Sequence, residues 1–283
     1  MSFSIDSLPV HPGLEHADYL AIVSVASAFT FLDFALGRLL GDRAKSEAIA
    51  SQCFAIASSF GGAYGYLTFP DDHVDPLLGR YGYSHRMFLF AAGWFIYDTA
   101  NCVGLFGRTY SYACKSWLPR SLVGAKRKPN QLNVKLTEFA KFFHIDIMHG
   151  VVCLCVFLLA LSPFVHRAGL FVLTYELSTV VLNFVHFTPR EYARLRLSLK
   201  AVFALTFFFV RLILGSAFSY RFLSLIWERK SEMGNFVVFA LTAVNLSMQT
   251  LNLYWMVEII MKALSTVQGE KQASGKGKKA KGD

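Results

Sequence analysis

The sequence predicts an all-α polytopic membrane protein of about seven transmembrane helices, and three observations carry that reading. First, 54% of the 283 residues are hydrophobic and only 17% are charged, where an average soluble domain has roughly 25% charged. Second, the apolar residues fall into seven runs, each long enough for a helix rising 1.5 Å per residue to cross a hydrocarbon core. Third, Lys and Arg are segregated between alternate connections, 21 on one side of the predicted bundle and 6 on the other. An aromatic share of 15% excludes a disordered chain, except at the ends.

The runs are Ala17 to Leu39, Glu47 to Phe69, Arg86 to Phe106, Phe139 to Leu161, Ala168 to Phe187, Ser198 to Phe222 and Gly234 to Met261. Pro70, Asp71, Asp72 and Asp75 separate the second from the third, and Ser162, Pro163 and Arg167 the fourth from the fifth. Such clusters end helices and make turns. The resulting segments are an N-terminal tail (1–16), a first helix (17–41), a six-span block (46–262) and a basic tail (263–283) read as disordered, since Ser274 to Asp283 has almost no apolar residue to bury.

Orientation follows from the basic residues, whose excess marks the cytoplasmic side. The N-terminal tail has none, the stretch from Arg108 to Lys141 has eight and the C-terminal end, counted from Lys262, has six. The N-terminus is therefore expected in the lumen and the C-terminus in the cytosol. Because the net charge of +9 is confined to short connections and a tail, it reads as a topology signal, not as a nucleic-acid surface. No cleavable signal peptide is evident, as residues 1–16 lack Lys and Arg. No nucleotide-binding Gly motif occurs, and the five Cys include no CxxC and none in the lumenal connections. Disulfides, a bound metal and a resident cofactor are not expected.

Charges inside the spans are the functional candidates, because each costs about 2.5–3.5 kcal/mol on insertion scales. They are Asp33 in the first span, Asp98 in the third, His144, Asp146 and His149 in the fourth, Glu176 in the fifth and Arg211 in the sixth. Asp146 and His149 share a helix face. Glu176, Thr179 and Asn183 form one polar stripe, and Asn245, Gln249 and Asn252 another. His149, Asp98, Glu176, Arg211 and Gln249 fall at similar depth, which implies a polar interior site, since polar groups facing lipid would go unpaired. More structural readings stand beside this one. Asp33 would pair with Arg38 at the surface, His144 would snorkel, Arg211 would neutralise Glu176 or Asp98, and the Asn and Gln stripe would join helices. Lys126, Arg127 and Lys128 are a topology signal or a contact for anionic lipid.

Four pieces of the chain resemble the TLC domain family: Tyr97-Asp98 at the end of an aromatic span, His149 in the next, Glu176-Leu-Ser178-Thr179-Val-Val-Leu-Asn183-Phe184, and Asn252-Leu-Tyr254-Trp255. The resemblance implies a six-helix core around an interior cavity, with the first span added to it. Ceramide synthases of this family have an adjacent His pair and two acidic residues three apart. Here those positions are Met148-His149, and Glu176 with Thr179. The chain is thus more similar to the general TLC-domain group, associated with membrane lipid composition, than to true ceramide synthases.

Two functions follow as expectations. One is an intramembrane cavity that binds a lipid or acyl group. The other is an acyltransferase in which His149 acts as base or nucleophile on acyl-CoA as co-substrate, with Glu176 and Asp98 as its catalytic partners and Asp146, Thr179, Asn183, Arg211, Gln249 and Asn252 lining the cavity. A seven-helix receptor is disfavoured, because the third span ends in Gly107-Arg108-Thr109 and the seventh has no NPxxY. The expected partners are membrane lipids, acyl-CoA and a second copy of the chain in a homodimer. Lys279 and Lys281, fifth and third from the end, have the spacing of a K-x-K-x-x retrieval signal and suggest the endoplasmic reticulum or early secretory pathway.

Overall fold

The computed structural model describes residues 15–102, 147–161, 165–189 and 191–279. Among them every regular element is helical, and each predicted run has its helix. These are α1 (His16–Leu40), α2 (Arg43–Leu67), α3 (Gly82–Cys102), α4 (Ile147–Ala160), α5 (His166–Leu173) with α6 (Glu176–Phe187), α7 (Ala193–Phe207), α8 (Gly215–Glu228), the short α9 (Lys230–Met233) and α10 (Asn235–Lys279). A π-helical stretch, Phe208–Leu214, joins α7 to α8, so the sixth run is one continuous rod. The chain is an integral membrane protein. Four stretches are long and apolar enough to cross a bilayer unaided: His16–Leu40, His166–Phe187, Ala193–Glu228 and Asn235–Leu264.

Helices α2 and α3 are less apolar for a visible reason: they lie inside. α2 packs on α1, α5 and α6, and α3 packs on α1 and α5. Their inward positions are small or polar, including Ser46, Ser58, Ser59, Ala91, Ala92 and Ser84. Small residues let neighbouring helices approach closely where lipid supplies no hydrophobic drive. At Gly93 a Cβ would stand 2.6 Å from Val25 Cβ, so any larger residue would push α1 off α3. Aromatic rings fill the rest of this interface. Phe54 stacks on Trp94 at 4.6 Å, and Phe29 meets the same indole edge-on at 4.8 Å, pairs worth about 0.5–1.5 kcal/mol each beyond their burial.

Asp33 departs from its expected surface pairing with Arg38. It is 1% exposed and accepts hydrogen bonds from Ser46 Oγ at 2.5 Å and Tyr97 OH at 2.9 Å, joining α1 to α2 and α3. Arg38 turns instead onto the ring of Phe34. A buried carboxylate must be hydrogen-bonded to be tolerated, and residues 13 and 64 positions away supply the donors. Sequence spacing along α1 alone could not show them.

The connections after α2, after α4 and after α8 meet at one end of the bundle. Val165 N–H donates to Leu77 O at 2.7 Å, Arg167 pairs with Asp71, and Arg229 pairs with Asp75 and Glu232. These are the connections that the basic-residue count puts on a single side. Partial burial works to raise the Asp75 carboxyl, but the amides of Leu78 and Leu77 and the Arg229 guanidinium outweigh it and hold the group below its usual range. Hydrogen bonding to Arg229 holds Glu232 down likewise, and the two carboxylates push Arg229 up.

α10 continues past its apolar part to Lys279. Gln, Glu, Lys and Ala are good helix formers, and a segment appended to an existing helix needs no new nucleus. The 1–14 tail and the basic stretch from Arg108 to Lys141, including Lys126, Arg127 and Lys128, lie outside the described residues, as do His144 and Asp146.

Candidate intramembrane polar site

The centre of the site is Arg211, 5% exposed in the middle of the π-helical stretch. An apolar sequence gives no reason to bury a guanidinium, so its partners decide whether it is tolerable. Its Nε donates to Ser178 Oγ at 3.0 Å and to the Tyr175 carbonyl at 3.3 Å, and Nη1 reaches Asn252 Oδ1 at 3.5 Å. Nη2 lies 3.8 Å from Glu176 Oε1. The rings of Phe207, Trp255 and Tyr175 surround the cation at 5.2, 5.6 and 5.8 Å. Three elements thus converge: the α5–α6 junction, the π stretch and α10.

The junction explains part of this. Thr174 and Tyr175 form a turn between α5 and α6, which leaves the Tyr175 carbonyl available to Arg211. Ser178 spends its own hydroxyl proton on the same carbonyl at 2.9 Å, so its oxygen is free to accept from Arg211 Nε. The phenol of Tyr175 faces α10, where Gln249 Nε2 lies 3.4 Å from it while donating to Ser219 Oγ at 2.6 Å.

His149 arrives from α4. Its ring meets Trp255 edge-on at 4.9 Å and Phe95 at 6.1 Å, and Trp255 therefore touches both the imidazole and the guanidinium. Gly150 permits the approach of α4 to α3, because a Cβ there would sit 2.5 Å from Thr99 Oγ1. One turn after His149, the Cys153 thiol lies 3.6 Å from Nδ1 and 3.7 Å from Nε2.

Two adjoining spaces border this cluster. The smaller is lined by His149, Glu176 and Arg211 together with Cys153, Tyr175 and Met248. The larger is an apolar groove between α4, α5, α8 and α10 with Phe218, Phe222 and Leu241 on its walls and Gln249 on its border. Cys153, Phe157, Val172, Tyr175 and Met248 belong to both, so the polar chamber and the apolar groove share a wall.

The residues singled out from sequence divide accordingly. His149, Glu176 and Arg211 come together, Asn252 supports Arg211 from behind, and Gln249 borders the groove. Asp98 is half-buried on α3 and outside the chamber's lining, near enough to act electrostatically on Cys153. Asn183 does not join them: it donates to Ser51 Oγ at 3.2 Å and ties α6 to α2. Thr179 lines neither space, and its neighbour Ser178 holds Arg211 instead. Reasoning from sequence missed Ser178, Tyr175 and Cys153. The i, i+4 spacing of His149 and Cys153 was the signal available for the last.

The comparison with protein families falls on the same helices: the model of the TLC domain matches residues 46–261. The chain belongs to the TLC domain family. The match begins in α2 and ends in α10, so α1 stands outside it, docked by Asp33, Phe29 and the close contact at Gly93. All the residues that form the polar chamber lie within the TLC domain. No curated protein matches the chain.

Proposed function

We propose that this TLC-domain protein serves membrane lipid homeostasis by holding an acyl-bearing lipid inside the bundle, the chain in the apolar groove and the polar part at His149, Glu176 and Arg211. The observation that carries this reading is the shared wall between a groove with apolar sides and a chamber with charged ones. A single-tailed amphiphile has that same division, and apolar enclosure with a few placed polar groups is the usual form of a small-molecule site. The test uses a fatty acid bearing a photoreactive diazirine, added to the full-length protein in phosphatidylcholine nanodiscs. Labelled peptides should map to α4, α8 and α10 around Phe157, Phe218 and Leu241, and replacing Phe218 with Trp should displace them. Labelling spread over the lipid-facing surface alone would defeat the reading.

A second reading, acyl transfer from acyl-CoA to a lipid amine or hydroxyl, is favoured by one feature, the imidazole and carboxylate lining a common chamber with a guanidinium. A single His can act as general base when a neighbouring group orients or stabilises it. His149→Ala should abolish transfer of labelled acyl groups by purified protein while its thermal unfolding stays unchanged.

We place the protein in the endoplasmic reticulum or early secretory pathway with its C-terminus cytosolic, on the basic-residue asymmetry and the Lys279 and Lys281 spacing. Exchanging both for Ser while adding two Lys upstream keeps the charge and should release the protein from the reticulum. Retention of that variant would refute the retrieval signal.

A further inference from the structure

We propose that Cys153 is an acyl-accepting nucleophile, its thiol exchanging with an acyl thioester such as acyl-CoA to form an S-acyl cysteine while His149 carries the proton. The inference rests on the reading that the groove takes an acyl chain, and adds to it where the acyl carbonyl lies and what attacks it. Cys153 is 4% exposed, yet its side chain borders both the groove and the chamber. An acyl thioester has its carbonyl carbon where a long apolar tail meets a polar remainder. With the tail in the groove and the remainder toward the chamber, the carbonyl falls at the wall common to both, which is where Cys153 stands. The imidazole needed to activate the thiol is one helical turn away, with sulfur to ring-nitrogen distances of 3.6 and 3.7 Å.

The step balances without an outside oxidant or reductant. The Cys153 Sγ–acyl carbon bond forms as the bond from that carbon to the sulfur of CoA breaks. His149 takes the Sγ proton during attack and returns it to the departing CoA thiolate, so the products are the Cys153 thioester and CoA thiol. One thioester replaces another, which leaves little net driving force to be found. The negative charge on the carbonyl oxygen develops in the chamber that Arg211 lines, the kind of fixed positive group that stabilises a tetrahedral intermediate. Cys155, two residues on, is exposed on the outside of the same helix and lines neither space. It is therefore an internal reference for unspecific acylation.

The experiment gives full-length protein in phosphatidylcholine nanodiscs a short pulse of alkyne-tagged palmitoyl-CoA, followed by peptide mapping with and without neutral hydroxylamine. The diazirine fatty acid reports groove occupancy in parallel. We expect hydroxylamine-labile label on the Cys153 peptide, its loss in Cys153→Ser, its persistence in Cys155→Ser, and an initial rate about 100-fold lower in His149→Gln, the scale of a lost general base. Diazirine labelling should be unchanged in Cys155→Ser, which alters neither space. Label distributed equally between Cys153 and Cys155 overturns the proposal, as does photolabelling of the groove without any thioester, which would leave the lipid-binding reading standing. Absence of both signals in the unaltered protein removes the two readings together. Mapping the label in the unaltered protein decides the matter even if Cys153→Ser does not fold.

Discussion

Asp33 and Arg211 are both charged, both almost fully buried and both hydrogen-bonded to other parts of the bundle, yet their surroundings differ. Asp33 accepts from Ser46 and Tyr97 where α1, α2 and α3 pack, and it lines neither of the two spaces described. Arg211 has one side against Ser178, Tyr175 and Asn252 and the other open to a chamber it shares with His149 and Glu176. The difference teaches that a buried charge in a membrane helix is not by itself a sign of chemistry. Its donors and acceptors can be spent entirely on joining helices. What marks Arg211 is the empty space beside a charged group and the convergence of further titratable side chains on that space.

Substitutions can press on this contrast. The largest effect is expected at Arg211, where Arg211→Ala leaves part-buried Glu176 and buried Ser178 and Asn252 without their partner and should cost about 3–5 kcal/mol, the usual penalty for removing one side of a buried charged network. Unfolding in detergent followed by circular dichroism measures it. The double variant Arg211→Met with Glu176→Gln should recover most of the stability while losing groove photolabelling of any lipid with an anionic or polar head. If the double variant keeps full labelling, the chamber is only structural.

Asp33→Ala is expected to cost about 1–3 kcal/mol, since it leaves the hydroxyls of Ser46 and Tyr97 without their buried acceptor. Here photolabelling of the groove should be unaltered, because the change lies at the α1 interface. Equal loss of labelling in the Asp33 and Arg211 variants would erase the distinction between the two sites.

The smallest effect belongs to the extramembrane cluster of Asp75, Arg229 and Glu232. Both carboxyls are held below their ordinary values of 3.8 and 4.5. Their contribution is therefore present at neutral pH and lost as pH falls through and below those values. Stability of the unaltered protein should decline between roughly pH 5 and pH 3 more than that of Arg229→Gln, with the two curves converging at the acid end. Parallel curves over that range would show that the cluster does not tie the connection after α2 to the one after α8.

Much of the bundle was legible in the sequence because the physics that sets a spanning helix, a sustained apolar run bounded by turn residues, is local. The chamber was legible in part. His149, Glu176 and Arg211 stood out because charge is costly in such runs, and cost does not depend on knowing the partner. What stayed hidden was pairing. Nothing in the neighbourhood of Asp33 shows that Ser46 and Tyr97 close over it, and nothing around Asn183 shows that its partner is Ser51 and not the cavity. His166 escaped for the same reason. It sits beside a turn and looks like a surface residue, but it is fully buried, with Nδ1 accepting the Tyr81 amide at 3.0 Å and Ser84 Oγ close by. Cys153 was passed over because an apolar helix makes any cysteine look like filler.

The π-helical stretch at Phe208–Leu214 has a consequence for how this rod can change over evolutionary time. Widening the backbone there accommodates a residue beyond the count an α-helix would use, so the phase of everything after it is offset by about 100°, one residue's share of a turn. A single-codon deletion within the stretch would let the rod close into a plain α-helix and rotate Gly215, Ser219 and Phe222 together away from α10. Gln249 would lose Ser219, and the groove would lose one wall, with no inward-facing residue substituted. An insertion or deletion of one codon thus acts as a dial on which face of 215–228 looks inward, and sequences that differ only by that codon would present different interiors behind nearly identical composition.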